Sequence, residues 1–408
     1  VFTMHELSQM IKDDMKPALG VTEPGAIAFA VAKARSFTKG DIKKVNVAMN
    51  SGMYKNAFTC GIPNSNEVGN VFAAALGVVA GNADKGLESL ADVTPEDNVK
   101  AQEMIDQGKI TVELSGITSR IFIEATVETE EDKAIVTIRD SHTNITKIIV
   151  NDKVELETED EKKTEEDGGE EESHSIHKYT LQQLYDYVTT VDIEEIRFIN
   201  EAYKVNLELF HEGLENPRTT FARQLLAINK GKEVSDDEQK TASLMCNAAI
   251  EARVIGLDKP AMSITGSGAH GIIATMPLYA AYKVNGYTEE QLLRATALSY
   301  LVCMYIKEYS GRLSAFCGCA IAAGSGMACA LVYLRGGTVE MMAHTLNNMA
   351  SSITGMICDG GNQGCTMKGV AAVDAAYKSV EFAMNGIYIS EVHGINGNTP
   401  EETCLLYT

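Results

Sequence analysis

The sequence predicts an α+β protein of two domains: a mixed α/β domain holding a small sheet, and an all-α domain that includes the N-terminal helices. Three observations predict it. Short β-branched runs with a period of two recur between residues 41 and 155, whereas residues 178–385 keep an apolar helical period almost throughout. The chain has 408 residues, 45% of them hydrophobic, with 34 glycines and no tryptophan; that exceeds one ordinary core and favours close helices packed through small residues.

Taken in order, the first forty residues read as two helices, one ending near Leu19-Gly20 and the next opening at Thr22-Glu23-Pro24. Thr22 suits a cap, Glu23 the positive end of a helix, and Pro24 a first turn in which its missing N–H costs nothing. The run Ala26 to Ala34 is apolar enough to be buried, so its entry turn is expected to be buried with it and to present backbone N–H groups. From Asp41, the runs Lys44 to Met49, Ile110 to Glu113, Arg120 to Val127, Ala134 to Ile138 and Thr146 to Val150 read as strands of a mixed or antiparallel sheet. Val68 to Ala80 and Pro95 to Gln107 read as helices between them. The expected division is therefore 41–155 for the α/β domain, 156–177 for an acidic insertion, and 1–40 with 178–408 for the helical domain. Glycine turns are expected at Gly266-Ser267-Gly268, Gly324-Ser325-Gly326 and Gly360-Gly361.

Charge and cysteine usage exclude several functions. A net charge of −21 opposes a nucleic-acid partner, because such binding relies on cationic side chains displacing counterions. Much of that charge is local: residues 155–172 hold eleven acids against Lys162 and Lys163 and read as a solvated loop. Nine cysteines without a leading charged-then-apolar segment suggest reduced thiols in a cytoplasm rather than a secreted disulfide framework. Leu313 to Leu334 carries no charge, but its glycine, alanine and serine suit a buried helix better than a membrane span, so no membrane partner is expected. The broad apolar helices are compatible with a homodimer.

Several residues invite chemistry. Cys317 and Cys358, with Cys319 and Cys365 just behind them, are soft donors on glycine-lined backbone, although neither compact cluster spacing nor paired zinc spacing occurs and buried cysteine is equally a small hydrophobe. Thr265 to Gly271 is a glycine turn whose amides suit an anion such as a carboxylate, or else a crowded helix crossing; it lacks the lysine of a phosphate loop and does not follow a convincing strand. His142 and His270 suit a base or a substrate donor, and Lys55-Asn56 a carboxylate clamp or an ordinary surface pair.

The ordered motifs Gly20-Val21-Thr22-Glu23-Pro24, Tyr54-Lys55-Asn56, Ser141-His142-Thr143-Asn144-Ile145, Gly266 to Ile272, Arg312 to Cys317 and Gly355 to Gly360 cover nearly the whole chain. In this order they resemble the L-cysteine desulfidase family, which is related to the iron–sulfur L-serine dehydratases. The resemblance implies a [4Fe-4S] cluster on three cysteines with one iron open as a Lewis acid, and β-elimination from L-cysteine or L-serine to pyruvate, ammonia and sulfide or hydroxide. It implies Cys317 and Cys358 as ligands, catalytic roles for Glu23, Lys55, His142 and His270, and substrate contacts from Thr22, Asn56, Asn144, Ser267 and Gly268. The family's first ligand falls on Val21, which cannot bind iron, leaving Cys60, Cys319 or Cys365 to take its place. Past Asn398 the family pattern continues into another helix, so a shortened or altered end is expected here. Two functions follow: a lyase for a small amino acid, with or without iron, or a non-catalytic homologue that binds a small amino acid or anion.

Overall fold

A computed structural model describes residues 4–159, 161, 175–311 and 313–408. The first part of the chain runs α1 (His5–Asp14), β1 (Lys16–Leu19), α2 (Thr22–Arg35), β2 (Ile42–Asn50), α3 (Ser51–Ala57), α4 (Asn70–Ala80), α5 (Pro95–Asp106), β3 (Ile110–Gly116), β4 (Phe122–Thr129), β5 (Lys133–Arg139), β6 (Ile145–Val150) and β7 (Lys153–Glu157). The second part runs α6 (Leu181–Thr190), α7 (Ile193–Ile196), α8 (Asn200–Glu215), α9 (Phe221–Ile228), α10 (Glu238–Val254), β8 (Pro260–Ser263), α11 (Gly268–Asn285), α12 (Glu289–Ser310), α13 (Gly324–Leu334), α14 (Val339–Ile353), α15 (Gly364–Met384) and α16 (Pro400–Leu406). The fold is α+β, with one sheet region and one helical region.

The sheet has six strands in the order β3-β2-β4-β5-β6-β7; β2 and β3 are parallel and the other pairs antiparallel. Strict alternation in β4 turns Ile123, Ala125 and Val127 inward, fully buried, against α2, while Glu124, Thr126 and Glu128 take the other face. The helical region is built around α10, α11 and α12, which are apolar on almost every face and packed by α8, α13 and α15. Where α11 crosses β8, a Cβ on Gly271 would lie 1.8 Å from the Met262 carbonyl oxygen, so only glycine permits that contact.

Several expectations change. Residues 16–19 do not extend the first helix but form β1, antiparallel to β8; Pro17 disfavours helical backbone at the residue before it. Residues 1–40 divide, in contrast to the single block expected: β1 and α1 contact β8 and α12, whereas α2 packs on α4, β4 and β5. Leu313–Cys317 is irregular, and the helix begins only at Gly318, passing at once into a π-helical turn from Cys319 to Ala323. Gly324-Ser325-Gly326 is the start of α13 rather than a turn, and Gly326 lets α13 approach the Ser299 carbonyl of α12. The acidic stretch is not wholly a solvated loop: Glu155 and Glu157 belong to edge strand β7, and buried Glu161 pairs with Arg139 at 2.7 Å and Thr146 at 2.7 Å. Residues 160 and 162–174 lie outside the described residues. Among the described residues no helix is long and apolar enough to cross a membrane.

Candidate active site

One pocket of about 590 Å³ collects most of the chemistry. It forms where the starts of α2 and α11, the ends of α10 and α12, residues of α3, and the loops 313–318 and 358–361 converge. Cys317 and Cys358, forty-one positions apart, are brought together by an antiparallel bridge between Phe316 and Ile357: Cys317 N–H donates to Met356 O at 2.8 Å and Cys358 N–H to Ala315 O at 2.9 Å. Cys319 and Cys365 line the same pocket. Hydrogen bonding from the Cys319 thiol, and from the backbone N–H groups of Ala320 and Cys319, pulls the Cys317 thiol down to about 7 against the opposing effect of burial. Burial pushes the Cys365 thiol up. Cys358 Sγ–H points to Asn56 Oδ1 at 3.7 Å.

Val21 caps α2 at this pocket and is buried against Gly361, where an added Cβ would lie 2.5 Å from Val21 Cγ1. Two residues on, Glu23 accepts a hydrogen bond from Asn56 Nδ2 at 3.2 Å and faces His142 Nε2 at 3.4 Å. Burial pushes its carboxyl up, but His142, Arg253 and Asn56 together outweigh that and hold it at about 2. Glu23 therefore stays ionised at neutral pH.

Two bases meet on the opposite wall. The Thr265 hydroxyl is 2.7 Å from Ile264 O and 2.7 Å from His270 Nδ1; with its hydrogen on the carbonyl, Nδ1–H is the donor and Nε2 carries the lone pair. A Cβ on Gly318 would come within 2.8 Å of that Nε2 and 3.1 Å of Lys307 Nζ, so both nitrogens reach the same glycine. Lys307, in the last turns of α12, is 4% exposed and donates to Ser314 Oγ at 3.0 Å; burial brings its ammonium down to about 8. Arg253, in the last turn of α10, is also 4% exposed, lines the pocket with Ser267 and packs against Gly268.

The structure thus brings together Glu23, Asn56, Ser267, His270, Cys317 and Cys358, with Gly268 against Arg253 and His142 behind Glu23. It places the others elsewhere. Lys55 Nζ donates to the Ser314 carbonyl at 3.2 Å and tethers the 313–318 loop from outside the pocket. Asn144 Nδ2 donates to Arg139 O at 3.0 Å and closes its own turn between β5 and β6. Thr22 is buried with no hydrogen-bond partner for its hydroxyl among the described residues. Cys60 points to Ala57 O at 3.2 Å, away from the pocket. Sequence reasoning missed Arg253 and Lys307, although Arg253 is the one cation between Ala242 and Leu257 and Lys307 directly follows the uncharged run Ala295 to Ile306.

A family model described as serine dehydratase alpha chain matches residues 84–404. The chain belongs to the serine dehydratase alpha-chain family. Similar relatives are UPF0597 proteins: one of Clostridium botulinum (strain Hall) is 40% identical over 402 residues, covering 97% of this chain and 92% of the relative. Another, of Caldanaerobacter subterraneus subsp. tengcongensis, is 36% identical over 397 residues (97% and 92%), and one of Bacteroides fragilis is 34% identical over 392 residues (96% and 90%). The match ends at Cys404, so it takes in every pocket thiol, Arg253, Lys307 and His270, but begins after Val21 and Glu23.

For an alpha chain of this family, the implied iron–sulfur group can be tested on the donors themselves. Cys317, Cys358 and Cys365 are soft, share one pocket, and influence one another's ionisation, which suits a thiolate-held cluster even with valine at position 21. Among the described residues no three His, Cys, Asp or Glu side chains converge tightly enough for a single ion.

Proposed function

We propose that the pocket eliminates the β-substituent of a small α-amino acid, L-cysteine or L-serine, to give pyruvate and ammonia with sulfide or water. The observation that carries this reading is the meeting of Lys307, His270 and the pocket thiols within one buried site that also holds ionised Glu23. Cys317, Cys358 and Cys365 would hold a [4Fe-4S] cluster; when bound, it supplies a Lewis acid that favours departure of a thiolate or hydroxide. Glu23 attracts the substrate ammonium, and Asn56 fixes the carboxylate's orientation. His270, steered by Thr265 and carrying its lone pair at Nε2, takes the α-proton, while the Lys307 ammonium gives a proton to the departing group. The resulting aminoacrylate tautomerises and hydrolyses in water. Deep burial of these groups excludes bulk water and strengthens each electrostatic contact.

Anaerobic reconstitution with iron and sulfide should give broad visible absorbance and pyruvate release from L-cysteine or L-serine. No iron uptake and no pyruvate would sink the proposal. Cys365→Ser should lower bound iron, whereas Val21→Cys should leave it unchanged; the reverse result moves the third ligand to position 21. The packing of Val21 on Gly361 favours a second reading, binding of an amino acid without turnover, and pyruvate release separates the two.

A further inference from the structure

We infer that Arg253 and the N-terminus of α11 form the seat of the substrate α-carboxylate, so that the site selects free α-amino acids over their amides and esters. This rests on reading the pocket as an amino-acid site.

Arg253 is nine-tenths or more buried, lines the pocket, and has an Nε with no hydrogen-bond partner among the described residues. A buried guanidinium left unsatisfied is costly, because its hydration is lost and no partner replaces it. Glu23 feels its charge, yet the Glu23 carboxylate is engaged by Asn56 and faces His142. The second observation is what the guanidinium rests on. A Cβ on Gly268 would lie 2.7 Å from Arg253 Nε and 3.0 Å from its Cδ, so the cation sits directly on the first residue of α11.

An 18-residue helix presents a positive dipole end and N–H groups without intrahelical partners at its start. Ser267 caps the His270 N–H at 3.5 Å, leaving the first-turn amides of Gly268 and Ala269 to other acceptors. A cation against a helix N-terminus is repulsive, and the contact becomes favourable only when an anion lies between the two. A carboxylate meets both, with two oxygens for a guanidinium fork and for backbone N–H groups. Glu23 in the same pocket supplies the opposite charge for the ammonium of the same molecule, which a simple anion would not use.

The probe is L-alanine, which has the α-carbon groups of the substrate and nothing to eliminate, measured by isothermal titration calorimetry on the full chain. Wild type should bind L-alanine and not L-alaninamide, and Arg253→Met should weaken L-alanine by roughly 10- to 100-fold, the scale of charge-assisted hydrogen bonds. Arg253→Lys should recover part of that loss. Gly268→Ala, which keeps the charge but pushes the guanidinium off the helix, should weaken binding in the same direction. Arg253→Lys keeps the positive charge that Glu23 feels, and a cooperative urea transition of Arg253→Met under the titration conditions shows that it is folded, so lost binding would not reflect lost folding. Equal binding of L-alanine by wild type and Arg253→Met, equal binding of L-alaninamide and L-alanine by wild type, or no L-alanine binding at all would overturn the inference. Inorganic phosphate binding more tightly than L-alanine through Arg253 would also overturn it. Absence of pyruvate with Arg253-dependent L-alanine binding would remove the elimination reaction and leave the carboxylate seat standing.

Discussion

Replacing Lys307 by methionine should stabilise the iron-free protein at neutral pH while abolishing turnover. A lysine ordinarily titrates near ~10.4, and Lys307 is brought down to about 8, chiefly by burial. At 1.36 kcal/mol per pH unit, the folded state carries a penalty of about 3 kcal/mol for its charged form. Loss of the Nζ–Ser314 Oγ hydrogen bond returns about 1 kcal/mol, leaving a net gain of about 2 kcal/mol for Lys307→Met at pH 7. The sign follows from proton counting: between pH 8 and ~10.4 the unfolded chain binds more protons than the folded one, so wild-type stability rises with pH across that window. The advantage of the variant should therefore shrink through the same window and reverse above it, where only the lost hydrogen bond, about 1 kcal/mol, remains. Urea unfolding of both proteins at intervals from pH 7 to 10.5 measures this directly. A variant no more stable than wild type at pH 7, or a difference that ignores pH, would refute the reasoning that burial dominates this lysine.

Two further outcomes are expected. Glu23→Gln should destabilise by about 3 kcal/mol at pH 6, because a carboxyl held at about 2 instead of ~4.3 contributes stability that is present above ~4.3 and lost as pH falls through 2; the gap between variant and wild type in urea titrations should close toward pH 2, and a constant gap argues against it. Gly271→Ala should cost more than about 3 kcal/mol, since its Cβ would meet the Met262 carbonyl oxygen at 1.8 Å, and its melting temperature should fall accordingly; an unchanged melting temperature would show that α11 can move off β8.

The legible parts of the site share one property: local chemistry that needs a particular backbone. Glu23 after a turn, Ser267 capping a helix, and two cysteines in glycine-lined loops all stand out in one dimension, and all reach the pocket. Lys55 and Asn144 stand out in the same way, yet their polar atoms are consumed by neighbouring carbonyls of Ser314 and Arg139. Arg253 and Lys307 were obscured for the opposite reason. Each sits in a helix that reads as plain core, and a lone cation there gains meaning only when a second element is seen to stop short of it.

By itself the sequence determined the α+β class, the strands of the sheet and the apolar helices, because periodicity and β-branching act through local geometry and burial of one face. It also determined which residue types carry soft-donor and acid–base chemistry. Tertiary structure alone decided that Cys317 and Cys358 close on one another across a bridge, that Cys365 joins them and Cys60 does not, and that valine fills position 21 against Gly361. It also decided that a guanidinium lies on a helix N-terminus. Those are relations between segments tens to hundreds of residues apart, fixed by how closely glycines let α11, α13 and the 358–361 loop approach their neighbours, and no local pattern encodes such a distance.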